Sequence, residues 1–339
     1  MRGLIRRIAL VALGLSACAD GEGSAAGFAG ATGSDSSGGS APSSDSGASS
    51  GGVPATSGTS SGTPSGTVSS SGPGDSDGSS TGSTSGAGDC VPHTPWLYAD
   101  FEAPAPGGSL SDNSPFNTAG RTVTTDLQAY AGAQAAQMEI RSGDAGGFGQ
   151  WGGVVSLPDL PEGETIWVRL WAYWPSDFEF SAAPWMKFIR LHNRMADGSN
   201  GGYNDLYIDN ADGPDSVLRV IKETHDVWEV YDGDPIPREL WERYEMQIVV
   251  DDTPVDDGGE ARFRVWRDDA LIFDRTDVPT VNGEGGVLDG LYLFTYWNNE
   301  MPPDNQMYID ELAITFGDNP PPSVDERGLP YFGDWLPCR

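Results

Sequence analysis

Residues 19–89 are almost entirely Ser, Gly, Thr, Ala, Pro and Asp, with Phe28 the sole aromatic. This tract bounds what the chain can fold into. Such a composition cannot bury enough apolar surface to offset the entropy of ordering it, so we expect an unfolded tether. A Gly/Ser-rich coil of that length has a root-mean-square reach on the order of 45 Å. Folding therefore falls to residues 90–339, which hold all 11 Trp and 11 Tyr and every Phe but Phe28. That length suits one large β-domain better than two small ones.

Ahead of the tether stands a basic stretch, Met1-Arg2-Gly3-Leu4-Ile5-Arg6-Arg7, then the apolar run Ile8 to Leu15 and Ser16-Ala17-Cys18. The run is under half of the roughly 20 apolar residues a spanning helix needs, so it reads as a signal peptide, 1–17. Leu15-Ser16-Ala17-Cys18 resembles the lipobox of bacterial lipoproteins. That resemblance implies acylation of Cys18, a lipid-anchored tether over 18–89, and a cell-envelope location at the outer membrane or cell surface. The alternative is an ordinary signal peptide with a stray cysteine. Of the remaining cysteines, Cys90 opens the folded part and Cys338 nearly closes it. Outside the cytoplasm such a pair favours a disulfide that staples the two ends, with free thiols or an intermolecular bond as the alternative.

The folded part lacks a helical period and reads as short alternating runs bounded by Gly, Pro, Asp and Asn. Strands are expected at 96–102, 137–142, 165–174, 185–192, 205–209, 217–223, 227–231, 243–250, 261–266, 271–274, 290–297 and 306–316. A dozen such runs predict an all-β, antiparallel sandwich. In the run from Thr165 to Trp174, Ile166, Val168, Leu170 and Ala172 share one face, and Trp167, Arg169, Trp171 and Tyr173 share the other. Both faces are apolar or amphipathic, which marks a central strand.

A net charge of −31 argues against nucleic acid, because gripping a phosphate backbone relies on a cationic patch. Lys187 and Lys222 are the only lysines, yet they cluster in sequence with Arg190, Arg194 and Arg219. In the run Met186 to His192, strict period two puts Met186, Phe188, Arg190 and His192 on one face and Lys187, Ile189 and Leu191 on the other. The same rule puts Tyr292, Phe294 and Tyr296 together.

The segments Asp100-Phe101-Glu102, Ile166-Trp167-Val168-Arg169, Lys187-Phe188-Ile189-Arg190-Leu191-His192, Trp241-Glu242-Arg243-Tyr244-Glu245 and Met307-Tyr308-Ile309-Asp310-Glu311-Leu312 resemble the concanavalin A-like lectin/glucanase jelly roll. Within it they resemble the polysaccharide lyases of alginate-lyase and glucuronan-lyase type. The resemblance covers most of residues 96–317 and implies a jelly-roll sandwich for the domain 90–339 and, in chain order, Arg141, His192 and Tyr296 as lyase residues. It departs from the family where Arg190 stands in place of a glutamine and where Tyr292 lies near the position of an absent lysine. Elimination needs a group to neutralise the uronate carboxylate, a base for the C5 proton and an acid for the leaving oxygen. Arg, His and Tyr suit these tasks. The bland alternative for His192 is a sheet histidine hydrogen-bonded to its neighbours.

For stacking on sugar rings the candidates are Trp171, Tyr173, Tyr203, Tyr207, Tyr296 and Trp297, with Asn298 beside them and Lys187 and Lys222 as charged partners. The loop 197–205 has the composition of a calcium loop or a Gly-rich turn. It lacks a closing bidentate Glu, which favours the turn. Asp100, Glu102 and Asp310, brought together by the ends of a jelly roll, are candidates for a structural calcium, although no cofactor is required. The Glu-x-Asp-x-x-Glu pattern of the related glucanases is absent, which argues against retaining hydrolysis. The leading expectation is a surface lipoprotein whose jelly roll binds polysaccharide. The alternative is a lyase using Arg141, Arg190, His192 and Tyr296, and behind both stands a structural envelope lipoprotein without a glycan ligand.

Overall fold

The computed structural model describes residues 91–338 apart from 111–114, 118–119, 142–151, 181–184, 210–215, 226 and 298–303. Its strands are β1 (Leu97–Ala99), β2 (Val123–Thr125), β3 (Ala135–Ile140), β4 (Gly153–Leu160), β5 (Thr165–Tyr173), β6 (Trp185–Arg194), β7 (Asn200–Asp209), β8 (Val217–Lys222), β9 (Val227–Val230), β10 (Trp241–Val249), β11 (Arg262–Arg267), β12 (Ala270–Arg275), β13 (Val287–Trp297), β14 (Asn305–Phe316), β15 (Ser323–Val324) and β16 (Pro330–Tyr331). Two 3₁₀ turns, Glu223–His225 and Val255–Asp257, are the helical elements among the described residues.

An eight-stranded antiparallel sheet runs β12-β11-β10-β5-β14-β3-β2, with β1 also paired to β14, and a six-stranded sheet runs β4-β13-β6-β7-β8-β9. One apolar core contains side chains of both, including Ile166, Val168 and Leu170 of β5 and Leu191, Leu206 and Val220 of β6 to β8. This is the antiparallel sandwich of jelly-roll type expected from the alternating runs. β5 is central as its pattern requires, paired to β10 on one side and β14 on the other.

The outer face of β5 is not an open sugar-binding surface. Residues from 330 onward lie across it: Trp167 Nε1 donates to Pro330 O at 3.1 Å, Arg169 donates to the carbonyls of Trp335 and Glu311, and Phe332 and Trp335 pack with Trp167 and Ala313. Glu245 on neighbouring β10 accepts the Phe332 and Gly333 amides at 2.6 and 2.9 Å. Burial pushes the Glu245 carboxyl up to about 7, against the pull of Arg243 and Arg169. The mixed aromatic and arginine face is thus a second, smaller core.

β4 escapes a reading by pattern because Gly153 and Pro158 interrupt it. It lies at the sheet edge, where a proline costs no ladder bond. Strict alternation also fails at several points in the six-stranded sheet, two of which decide where Phe188 and Phe294 point. β6 carries an extra residue between Lys187 and Ile189 relative to β7, and β13 breaks register between Leu293 and Tyr296 relative to β6. A bulge re-aims the side chains beyond it. Phe188 and Phe294 therefore turn into the core, with Phe294 at φ 47°, instead of joining Arg190 and Tyr292 on the outer face.

Candidate functional site

Those bulges assemble a polar patch on the outer face of the six-stranded sheet. β6 contributes Lys187, Arg190, His192 and Arg194; β7 contributes Tyr203, Asp205 and Tyr207; β13 contributes Tyr292, in register opposite Arg190. The neighbours that alternate with them, Leu191, Leu206 and Leu291, point into the core.

His192 stands at the centre. Its Nδ1 is 2.5 Å from Asp289 Oδ1 and its Nε2 3.1 Å from Asn200 Oδ1. Asn200 Oδ1 also accepts the Gly202 amide at 2.8 Å, which fixes the amide orientation that the histidine meets. The Asn200 position depends on a bulge in β7, where two residues, Gly201 and Gly202, span the interval that Asn193 spans in β6. Gly202 sits at φ 81°, and a Cβ on Gly201 would reach 3.0 Å from Asn193 Cβ. Tyr203 and Tyr292 flank the imidazole with ring centroids at 5.0 and 5.8 Å, and they lie 5.5 Å from each other. Gly290, opposite His192, lets the Tyr292 ring fold back over it: a Cβ there would lie 2.9 Å from Tyr292 Cε2.

Below this triangle the charges are paired. Arg190 Nε donates to Asp205 at 2.7 Å and Nη2 to Glu223 at 3.2 Å, with side-chain exposures of 3, 0 and 34%. Its guanidinium carbon lies 3.6 Å from the Tyr203 ring centroid. Burial alone would lower the Arg190 pKa, but Asp205, Tyr207 and Glu223 hold it above the ordinary value. Lys187 donates to Glu223 at 3.3 Å, and burial followed by Arg190 pushes its ammonium below the usual range. Arg194 bonds Asp289 at 2.8 Å and also Asp159. Burial works against the Asp289 carboxylate, yet His192 and Arg194 keep its pKa below the ordinary range. Burial raises the phenols of Tyr203 and Tyr292, so both hold their protons at neutral pH.

Several residues expected at one site are dispersed. Arg141 follows β3 in the other sheet and forms a pair with Glu139 at 2.7 Å. Trp171 and Tyr173 also belong to that other sheet. Trp171 is 7% exposed beneath a stacked Tyr130 at 3.7 Å, and Tyr173 packs against Trp241 and Tyr308. Tyr207 is on the patch but 3% exposed, leaving no free ring face for a sugar. Lys222 is opposite Asn204, on the core side of its sheet. It donates to Thr280 O at 3.0 Å alongside Asn204 Nδ2, so it is no part of a cationic channel. Tyr296 and Trp297 are in register with Lys187 and Met186 on β13, but their side chains lie outside the described residues, as do Asn298, Cys18 and Cys90.

Loop 197–205 splits into a tight turn, in which Asp197 Oδ1 accepts the Ser199 amide at 2.9 Å, and the start of β7. Of the expected cation ligands, Asp310 accepts the amides of Tyr130, Ala131 and Glu311, and burial pushes its carboxyl up to about 8. Glu102 Oε1 accepts Ala133 and Gln134, and Asp100 accepts the Glu102 amide at 3.3 Å. Asp310 and Glu102 thus pin the 130–134 segment. Among the described residues no set of three or more His, Cys, Asp and Glu side chains converges as a metal cage. Asp289, in the bulge near the start of β13, and Glu223, in the 3₁₀ turn after β8, escaped the sequence reading, while Asn200 and Asp205 were read only as part of the 197–205 loop and the strand that follows it.

The fold and patch define an antiparallel jelly-roll sandwich with a histidine and tyrosine cluster on one sheet. The chain is similar to the solved structure of an alginate lyase in complex with an alginate trisaccharide, at TM-score 0.50 and 14% identity over 65% of this chain and 97% of that one. It is also similar to an endo-β-1,4-glucuronan lyase from the fungus Trichoderma reesei, at TM-score 0.45 and 15% identity over 66 and 95%. No family model and no curated protein matches the sequence. At such identity the likeness establishes the fold alone.

Proposed function

We propose that the protein is a polysaccharide lyase acting by β-elimination on a uronate-containing polymer laid across the outer face of the six-stranded sheet. The observation that carries this reading is the triangle of His192, Tyr203 and Tyr292, with His192 bonded to Asp289 and Asn200. With Nδ1–H donated to Asp289, His192 takes the C5 proton on Nε2 once the sugar displaces Asn200 Oδ1 from that nitrogen, the released electron pair forms the C4–C5 double bond, and the C4–O bond breaks. One of the two protonated tyrosines supplies the leaving oxygen with its proton. Asn200, beside His192 Nε2, carries an amide suited to the uronate carboxylate. The solved alginate lyase of the same fold, which carries an alginate trisaccharide, adds support.

A second reading, glycan binding without cleavage, is favoured by the pairing of Lys187, Arg190 and Arg194 with carboxylates, which weakens the attraction for a polyanion. Export, acylation at Cys18 and a Cys90–Cys338 bond are proposed from the sequence. The hydrogen bond of Trp335 Nε1 to Val91 O at 3.0 Å, which ties the two chain regions next to those cysteines, supports the last of these.

The test is absorbance at about 235 nm, where the unsaturated uronate product absorbs, on alginate, glucuronan and other polyuronates. His192→Ala serves as the control for the base. A rise abolished by the substitution is the expected result. No rise on any polymer, together with retention on a neutral-glycan gel, overturns the lyase in favour of the binder.

A further inference from the structure

Among the described residues the six-stranded sheet ends at β9, where Glu229 supplies the charge usual at a free edge but its neighbours Trp228 and Val230 are apolar. Trp228 and Val230 are 44 and 45% exposed there. Trp228 is in register with Ile221, Ile221 with Asp205, Asp205 with Arg190 and Arg190 with Tyr292. Alternation along β8 and β9 sets Arg219, Ile221, Trp228 and Val230 on the face that carries His192, since Leu218 and Val220 point into the core. The indole therefore lies on the same surface as the candidate site. It is three strand spacings from Arg190, roughly 14 Å at about 4.8 Å per strand.

The ring is held from two sides. The Arg219 guanidinium carbon lies 5.3 Å from its centroid and is anchored by an ion pair to Asp209. The Tyr207 ring meets it at 6.3 Å and 71°. Tyr207 is in turn bonded to Glu223, the acceptor shared by Lys187 and Arg190. A large apolar ring kept half in water, braced by polar neighbours and continuous with a polar patch, has the form of a stacking platform for the apolar face of a sugar.

We propose that Trp228 is a distal glycan subsite, on which a sugar unit of the polymer stacks while the units at His192 and Tyr203 lie over the chemistry. This rests on the polysaccharide reading above and assigns the direction of the chain, across the strands from β13 towards β9. It also makes chain length the basis of selectivity, because an oligomer that cannot span roughly 14 Å engages one end only.

The experiment compares wild type, Trp228→Ala and Trp228→Phe on alginate and glucuronan polymers and on their trisaccharides. Loss of one stacked aromatic is expected to raise KM for the polymer about tenfold with kcat held within about twofold. The effect should shrink to under about twofold on the trisaccharide, and Trp228→Phe should recover most of the loss. Equal KM values for wild type and Trp228→Ala on a polymer that the wild type cleaves overturn the subsite and leave the lyase standing. Should no polymer be cleaved, affinity electrophoresis on the same polymers and on a neutral xylan takes over. Retention weakened about tenfold by Trp228→Ala supports the subsite on a binding module, and equal retention overturns it. A wild type that is neither active nor retained overturns both proposals.

Discussion

Replacing Asp205 by alanine is expected to destabilise the domain far more than a typical surface substitution. The Arg190–Asp205 pair spans 2.7 Å with side chains 3 and 0% exposed. Removing the carboxylate strands a guanidinium that water cannot reach. Breaking a buried pair from one side costs about 3–5 kcal/mol. The 3.2 Å bond that Arg190 keeps to Glu223, itself 34% exposed, moves the expectation to the lower end, about 3 kcal/mol. For a domain of this size each kcal/mol lowers Tm by about 2–4 °C, so a fall of about 6–12 °C follows. Replacing both partners, as in Arg190→Met with Asp205→Leu, should bring stability back to within about 1 kcal/mol of wild type, since the penalty belongs to the orphaned charge and not to the absence of the pair. Urea midpoints measured at constant m, alongside calorimetric Tm, read both effects. A loss below about 1 kcal/mol for Asp205→Ala, or a double variant no better than the single, would refute the argument that this pair is desolvated.

Two further outcomes test the same surface and its underside. Gly290→Ala should push the Tyr292 ring out of its position beside His192, because the new Cβ would lie 2.9 Å from Tyr292 Cε2. Activity or glycan retention should drop several-fold while Tm moves little, and unchanged function would show that Tyr292 is not needed there. Lys222, whose ammonium burial pushes down to about 7, releases its proton in the folded state at lower pH than in the unfolded chain, where lysine titrates near about 10.4. Between those values the unfolded state binds more protons, so the stability contribution rises with pH across that window. Lys222→Met should flatten this rise in a series of urea titrations from pH 7 to about 10, and an identical slope in both proteins would place Lys222 in water.

How much of this was legible in the sequence differs by element. The twelve expected strands are present because each carries its own period and turn residues, and β5 announces its central position by being apolar on both faces. His192 and Arg190 share a face as alternation predicts. The same alternation misassigned Met186, Lys187, Phe188 and Phe294, since a bulge is set by how a strand pairs with its neighbours and leaves no mark in local pattern. β4 was hidden by Pro158, which is acceptable only because that strand is an edge.

What the amino-acid sequence determined by itself is therefore the all-β character of the part that holds the aromatic residues, together with the handful of residues chemically able to act. Tertiary structure alone decided which of them meet. Arg141 and Trp171 went to one sheet and His192 to the other, Lys222 turned to the core beside Thr280, and Asp289 and Tyr292 came to the histidine from distant β13. The reason is physical: local hydrophobic period sets which side chains a strand can bury, whereas sheet assignment, register and bulges follow from long-range pairing and packing, whose energies no short window of sequence contains.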